Sequence, residues 1–171
     1  MQYRQRRFRG VTMGKSSAGK SKKKKTPRAL AADLLVRIER DGSYADRILA
    51  VADRELDERR DRAFLREIVL GVLRNKLRLD RIVKTYYTKN FSSLDPYIAA
   101  LLRMGLYQML FMASVPSWAA VDESVGLARN HAGRGASGLV NAILRRFGRE
   151  EEPPPPEDAA ERCALQYSHP G

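Results

Sequence analysis

The stretch Asp95-Pro-Tyr-Ile-Ala-Ala-Leu-Leu-Arg-Met-Gly-Leu-Tyr-Gln-Met-Leu-Phe-Met-Ala113 contains, after its opening Asp-Pro pair, only Arg103 and Gln108 as clearly polar side chains. Aspartate followed by proline is typical of a helix start, because the carboxylate caps free amides and proline fits the first turn. A helix that is apolar on nearly every side must be surrounded by other elements. With a charge near its middle, the run fits a core helix better than a membrane span. The stretch therefore predicts a central buried helix.

The rest of residues 26–149 shows apolar residues at helical spacing, and no stretch shows sustained two-residue alternation. Thr26-Pro27 predicts one helix start, Asp41-Gly42-Ser43 predicts a stop, and Gly133-Arg-Gly135 separates the last two apolar stripes. We expect an all-α bundle of about seven helices around the helix after Asp95. Gly71 and Gly105 lie inside these helices at a cost of about 1 kcal/mol each relative to alanine, which predicts close helix approach.

The positive charge is concentrated at one end of the chain. The formal net charge is +12, and residues 1–25 hold ten basic residues and no acidic one. This segment is poor in apolar residues, so we expect a disordered basic tail. It fits a phosphate-binding arm, a solvating arm or an organelle transit peptide. Residues 26–149 then form the domain, and residues 150–171 a proline-rich linker with the truncated start of a following region.

Three groups of basic residues within the chain are candidates for contact with nucleic acid. Residues 22–25 continue into the first helix, a second group lies where the third and fourth helices meet, and Arg145, Arg146 and Arg149 close the last helix. Helix capping and solvated faces explain the last two groups better than nucleic-acid contact does, whereas for residues 22–28 the two explanations are equally good. Tyr86, Tyr107 and Trp118 are expected to pack rather than to stack on bases, and Asn141 to bond a neighbouring backbone group. The predicted RNA-binding residues are Lys22, Lys23, Lys24, Lys25, Arg28, Arg74, Lys76 and Arg78.

No pattern in the sequence indicates catalysis, a cofactor or a metal. Residues 14–21 match the phosphate-loop pattern GxxxxGK[ST], but no apolar strand precedes them and no apolar helix follows. The chemistry of that pattern needs both, so we predict no nucleotide hydrolysis. The single cysteine, Cys163, excludes an intramolecular disulfide, and His131 and His169 lie too far apart in sequence to suggest a metal site.

Four segments together carry a resemblance to a known family: residues 61–75, 101–110, 116–123 and 139–146. They resemble the NusB fold, and in detail the NusB-like N-terminal RNA-binding domain of the RsmB (Sun/Fmu) ribosomal RNA cytosine-5 methyltransferase family. The resemblance covers about residues 27–171. Residues 164–171 are similar to the segment that leads into the methyltransferase part of that family.

The resemblance implies an RNA-binding module whose basic N-terminal region, here residues 22–25 and Arg28, contacts RNA. The expected function is the substrate-positioning N-terminal part of a cytoplasmic 16S rRNA (cytosine-5-)-methyltransferase, with ribosomal RNA and a methyltransferase domain packed in cis as partners. The methyltransferase part would bind S-adenosylmethionine and use a cysteine, but none of its motifs is present, and Cys163 does not inherit the role. This chain alone is thus expected to be no enzyme. A stand-alone NusB-type antitermination factor and a helical protein-docking module are the alternatives.

Overall fold

The computed structural model describes residues 25–42, 45–150 and 152–154. The predicted disordered tail, apart from Lys25, lies outside these residues, as do Cys163 and His169. Over the described ranges the structure consists of helices and turns, with single 3-10 turns at Asp53–Glu55 and Phe91–Ser93 and no strand. The helices are α1 (Pro27–Asp41), α2 (Ala45–Ala52), α3 (Arg59–Arg74), α4 (Lys76–Tyr86), α5 (Pro96–Phe111) and α6 (Ser117–Phe147).

Helix α5 is the centre of the bundle, as its composition predicts. Every residue from Ile98 to Gln108 is buried, including Arg103, and α1, α3, α4 and α6 all pack against the helix. Asp95 caps it, since its Oδ1 accepts from the amides of Tyr97 at 2.9 Å and Ile98 at 3.1 Å. The prediction of an all-α fold around this helix is confirmed. Within the described part of the chain, no helix is both long and apolar enough to cross a membrane.

The structure confirms the predicted start and end of the first helix and the predicted break between the last two helices. Thr26 caps α1 by accepting from the Ala29 amide, and Gly42 ends the helix with a φ of 58°. The predicted sixth and seventh helices are the two halves of α6. The backbone between them is non-helical at Ala132 and at Gly133, where φ is 77°. A positive φ costs glycine little, so Gly133 allows α6 to bend and fold its second half onto the core.

The two helix-interior glycines lie where helices approach closely, as predicted. A Cβ on Gly71 of α3 would overlap the ring of Tyr107 on α5. A Cβ on Gly105 of α5 would lie 2.6 Å from a methyl carbon of Leu144 and 3.3 Å from the Ser124 hydroxyl, both on α6. A methyl group at either position would force the facing side chain, Tyr107 or Leu144, to shift.

Candidate nucleic-acid interface

The start of α1 places two of the predicted RNA-binding residues on the surface of the bundle. Lys25 binds Asp33 at 2.5 Å, and this hydrogen bond raises the pKa of the lysine. Arg28 is half-buried: its Nε donates to Gln108 Oε1 at 2.8 Å and its guanidinium lies 4.8 Å from the ring centre of Phe64. Burial lowers the pKa of Arg28. Three predicted residues of the tail, Lys22, Lys23 and Lys24, lie outside the described residues.

The corner between α3 and α4 carries the predicted residues Arg74, Lys76 and Arg78. These three differ in whether a carboxylate already balances their charge. Arg74 is exposed and makes no ion pair within the described residues. Lys76 lies between two carboxylates, 3.2 Å from Glu39 and 3.1 Å from Asp80. Arg78 is committed to the carboxylate of Glu152. Of this group, only Arg74 presents a charge that no carboxylate of the described structure balances.

The contact of Arg78 is part of a clamp that holds the chain after α6 against α4. Arg78 donates from Nε and a terminal nitrogen to the two Glu152 oxygens, at 2.7 and 2.5 Å. Arg81 donates to the carbonyls of Pro153 at 2.9 Å and Pro154 at 2.6 Å. The Arg78 guanidinium also covers the Phe111 ring at 5.2 Å. These side chains fix the course of the linker as it leaves the bundle.

We expect Glu152→Gln to release the linker clamp while changing the free energy of unfolding by about 1 kcal/mol or less, because the pair is partly solvated. The hydrogen bond from Arg78 holds the pKa of Glu152 below its ordinary value, against the opposing effect of burial. The clamp should therefore persist at neutral pH and open as the pH falls through that lowered pKa. Exchange of the Arg78 Nε proton, followed by NMR, measures the opening.

Glu150→Gln is the matched control for the clamp. Glu150 lies two positions before Glu152 and pairs with Arg146 of α6 at 2.8 Å. Its replacement therefore removes one negative charge from the same segment without removing a partner of Arg78. Equal acceleration of Arg78 proton exchange in both variants would contradict the clamp.

A groove along α6 brings Arg145, a candidate from the sequence, together with two cations that the sequence did not single out, Arg129 and Arg134. Arg129 and Arg134 flank the bend at Gly133, and Arg145 lies about three turns further along the second half of the helix. The groove has a volume of about 740 Å³ and includes Asn141 and one acid, Asp122. Within the described residues none of the three arginines forms an ion pair. Asn141 accepts from Arg145 Nε at 2.7 Å, so the expected bond to the backbone is wrong.

Trp118 lies in the first turn of α6 and contradicts the predicted packing role. Its side chain is 74% exposed, whereas Tyr107 is buried as expected and Tyr86 is partly buried. The helical register explains the difference: Ala120, Ser124 and Ala128 define the inner face of this half of α6, and position 118 falls well away from it. Beside Trp118 is a cavity of about 230 Å³.

Lys76 belongs to a partly buried ion network in which two carboxylates balance its charge. Arg103, 4% exposed, donates to Asp80 at 2.5 Å and to Glu39 at 2.7 Å, and Lys76 bridges the same two carboxylates. Burial acts to lower the pKa of Arg103, but the two carboxylates outweigh it and raise that pKa. Two cations and two anions balance here, so the network ties α1, α4 and α5 together.

A family model described as the NusB family matches residues 25–149. The chain belongs to the NusB family. Solved structures share the fold of this NusB-family chain. T. maritima NusB is 23% identical with a TM-score of 0.65, over 74% of this chain and 91% of that one. A structure of the antitermination factors NusB and NusE with double-stranded RNA matches at 18% identity and a TM-score of 0.65, over 72% and 94%.

Longer relatives of this NusB-family chain confirm its resemblance to the RsmB methyltransferase family. The probable ribosomal RNA small subunit methyltransferase B of Bacillus subtilis (strain 168) is 34% identical over 152 residues, covering 86% of this chain and 34% of that protein. The ribosomal RNA small subunit methyltransferase B of Vibrio cholerae serotype O1 is 35% identical over 144 residues, covering 84% and 32%. The chain thus spans about a third of the length of these relatives.

Proposed function

We propose that this NusB-family domain binds RNA and positions ribosomal RNA for a methyltransferase that acts on the small ribosomal subunit in the cytoplasm. The observation that carries the proposal is the alignment of more than four-fifths of this chain with proteins named ribosomal RNA small subunit methyltransferase B. Nucleic-acid binding is further supported by the excess of basic over acidic residues, most of which the sequence concentrates in residues 1–25.

The proposed surface for the RNA backbone combines the basic tail with the start of α1 and the exposed corner at Arg74. Residues 22–25 lead directly into Arg28, whose terminal nitrogens are not bonded within the described structure while its Nε is held by Gln108. A guanidinium oriented in this way can donate to a phosphate. Lys76 and Arg78 would contribute less, because carboxylates already balance their charges.

Methyl transfer itself we assign to the part of such relatives that this chain does not span. The parent enzyme would use S-adenosylmethionine as the methyl donor. The described residues do not fit that cofactor, since they include no strand leading into a glycine-rich turn and helix. We therefore expect that the isolated chain binds ribosomal RNA without methylating it.

The test uses the purified chain and a transcript of the small-subunit ribosomal RNA. If about five tail charges each meet a phosphate, log affinity should fall against log salt with a slope near −3.5, or roughly a hundredfold between about 50 and 200 mM. Incubation with S-adenosylmethionine should yield no methylated cytosine. The absence of RNA binding would refute the binding role, and methylated cytosine would refute the assignment of chemistry elsewhere.

A second candidate function follows from the shared fold with NusB in the structure of the antitermination factors NusB and NusE with double-stranded RNA. Under it, the chain would act as an antitermination factor on nascent RNA together with a ribosomal protein. Binding that becomes tight only when such a ribosomal protein is added would favour this alternative over rRNA positioning.

A further inference from the structure

We propose that Trp118, Arg145 and Arg149 form a site that stacks one unpaired RNA base on the indole and holds the adjoining phosphate with the two guanidinium groups. The site deepens the proposed function, because it adds a contact to bases to the backbone contacts assigned above. It lies at the first turn of α6 and the end of the same helix, which the bend at Gly133 brings together.

The indole is the first observation. Trp118 is the most exposed of the large apolar side chains in the described structure, at 74%. It borders a cavity of about 230 Å³ whose apolar lining also includes Met109, Val121 and Leu144. An apolar cavity beside an exposed aromatic ring accommodates a planar ring system, and any base can stack on such a ring.

The two arginines are the second observation, and each donates one hydrogen bond to a neutral group. Arg145 donates from Nε to the Asn141 side chain at 2.7 Å, and Arg149 donates from Nε to the Arg145 carbonyl at 3.3 Å. Their terminal nitrogens have no partner within the described residues, and no carboxylate there pairs with either. Neighbouring Arg146 differs, since Glu150 neutralises it at 2.8 Å. Two such forks one helical turn apart suit a phosphate.

The surroundings favour a nucleotide over a protein partner. The other exposed large apolar side chains, Val51, Leu77 and Phe111, do not line this cavity. A lone aromatic ring beside two unpaired cations offers far less surface than the roughly 800 Å² per partner that a stable protein interface buries. The groove of Arg129 and Arg134 adjoins the cavity through Arg145, so the phosphates of the neighbouring nucleotides have a path along α6.

Because the chain contains a single tryptophan, its fluorescence reports on this site directly. The full chain would be titrated with a single-stranded oligoadenylate and with an abasic oligomer of equal length, and binding would be followed in parallel by anisotropy of an end label. We expect both oligomers to bind at low salt, and only the base-bearing one to quench Trp118. Trp118→Ala should weaken oligoadenylate binding about tenfold, a loss typical of one base stack, and leave abasic binding unchanged.

Arginine variants complete the test. Arg145→Ala with Arg149→Ala should weaken both oligomers, whereas Arg146→Ala, one position away and already paired, should change neither by more than about twofold. Binding of oligoadenylate without quenching, or equal quenching by both oligomers, would overturn the stacking site while leaving RNA binding intact. Failure of both oligomers to bind would overturn the site and the proposed function together. Quenching by a protein partner but not by RNA would show a docking surface instead.

Discussion

Replacing Arg103 with methionine is expected to destabilise the domain by about 3–5 kcal/mol, the cost typical of removing one partner from a buried ion pair. Arg103 is 4% exposed, and the carboxylate of Asp80 beside it is 7% exposed. Methionine retains most of the apolar length of arginine but leaves Asp80 buried, with Lys76 as the one cation among the described residues that still pairs with it. Unfolding by urea, followed by circular dichroism, measures the loss.

A double variant separates the stranded charge from the loss of packing. Adding Asp80→Leu to Arg103→Met removes the buried carboxylate and leaves Glu39 and Lys76 paired at 3.2 Å near the surface. We expect this variant to recover most of the lost stability, because replacing a whole buried pair by apolar groups of similar size is often neutral. If the double variant is as unstable as the single one, packing rather than charge sets the cost.

The single substitution Arg103→Met should also change the pKa of Glu39. Burial of Glu39 acts to raise its pKa, but Arg103 and Lys76 outweigh burial and hold the pKa below its ordinary value. Removing Arg103 should therefore move the pKa of Glu39 upward, as measured by carboxyl NMR. The stability that Glu39 contributes, present at neutral pH, should then be lost at a less acidic pH than in the unchanged protein.

The parts of this fold that sequence reasoning could predict are those in which local chemistry determines the structure. Asp95-Pro96 and the apolar run after it predict α5, since capping and burial act over a few residues. Gly71 and Gly105 were predicted to mark close approach because glycine is otherwise costly in a helix. Both predictions are confirmed.

The contacts that sequence could not supply join residues far apart in the chain. Arg78 and Glu152 are 74 positions apart, and Arg103 and Glu39 are 64 apart. A basic residue at a helix corner looks the same in sequence whether a distant carboxylate reaches it or not. Trp118 follows Pro116 at a helix start, which favours a packing role, yet its side chain is 74% exposed, and its offset from the stripe of Ala120 and Ser124 is visible in the sequence. The bend at Gly133 then brings it next to Arg145.

Deleting residues 1–24 is expected to weaken binding of ribosomal RNA by at least about a hundredfold at about 50 mM salt. The deletion removes nine of the basic residues and no acid, while it keeps Lys25 with its bond to Asp33 and Thr26 as the cap of α1. The bundle should thus keep its stability. Affinity should also become much less sensitive to salt, because fewer counterions are released on binding.

A variant with a tail of unchanged length separates charge from chain length. Replacing the nine basic residues of this segment by glutamine keeps the number of residues and removes the charge. We expect it to behave like the deletion, with a shallow salt slope and weak binding. Quenching of Trp118 by oligoadenylate should survive in both variants once protein and RNA are concentrated enough to associate, because the stacking site lies on α6. If the deleted chain holds RNA as tightly as the full chain, the affinity resides in the helical bundle, and Arg28, Arg74 and the cations along α6 must then supply it.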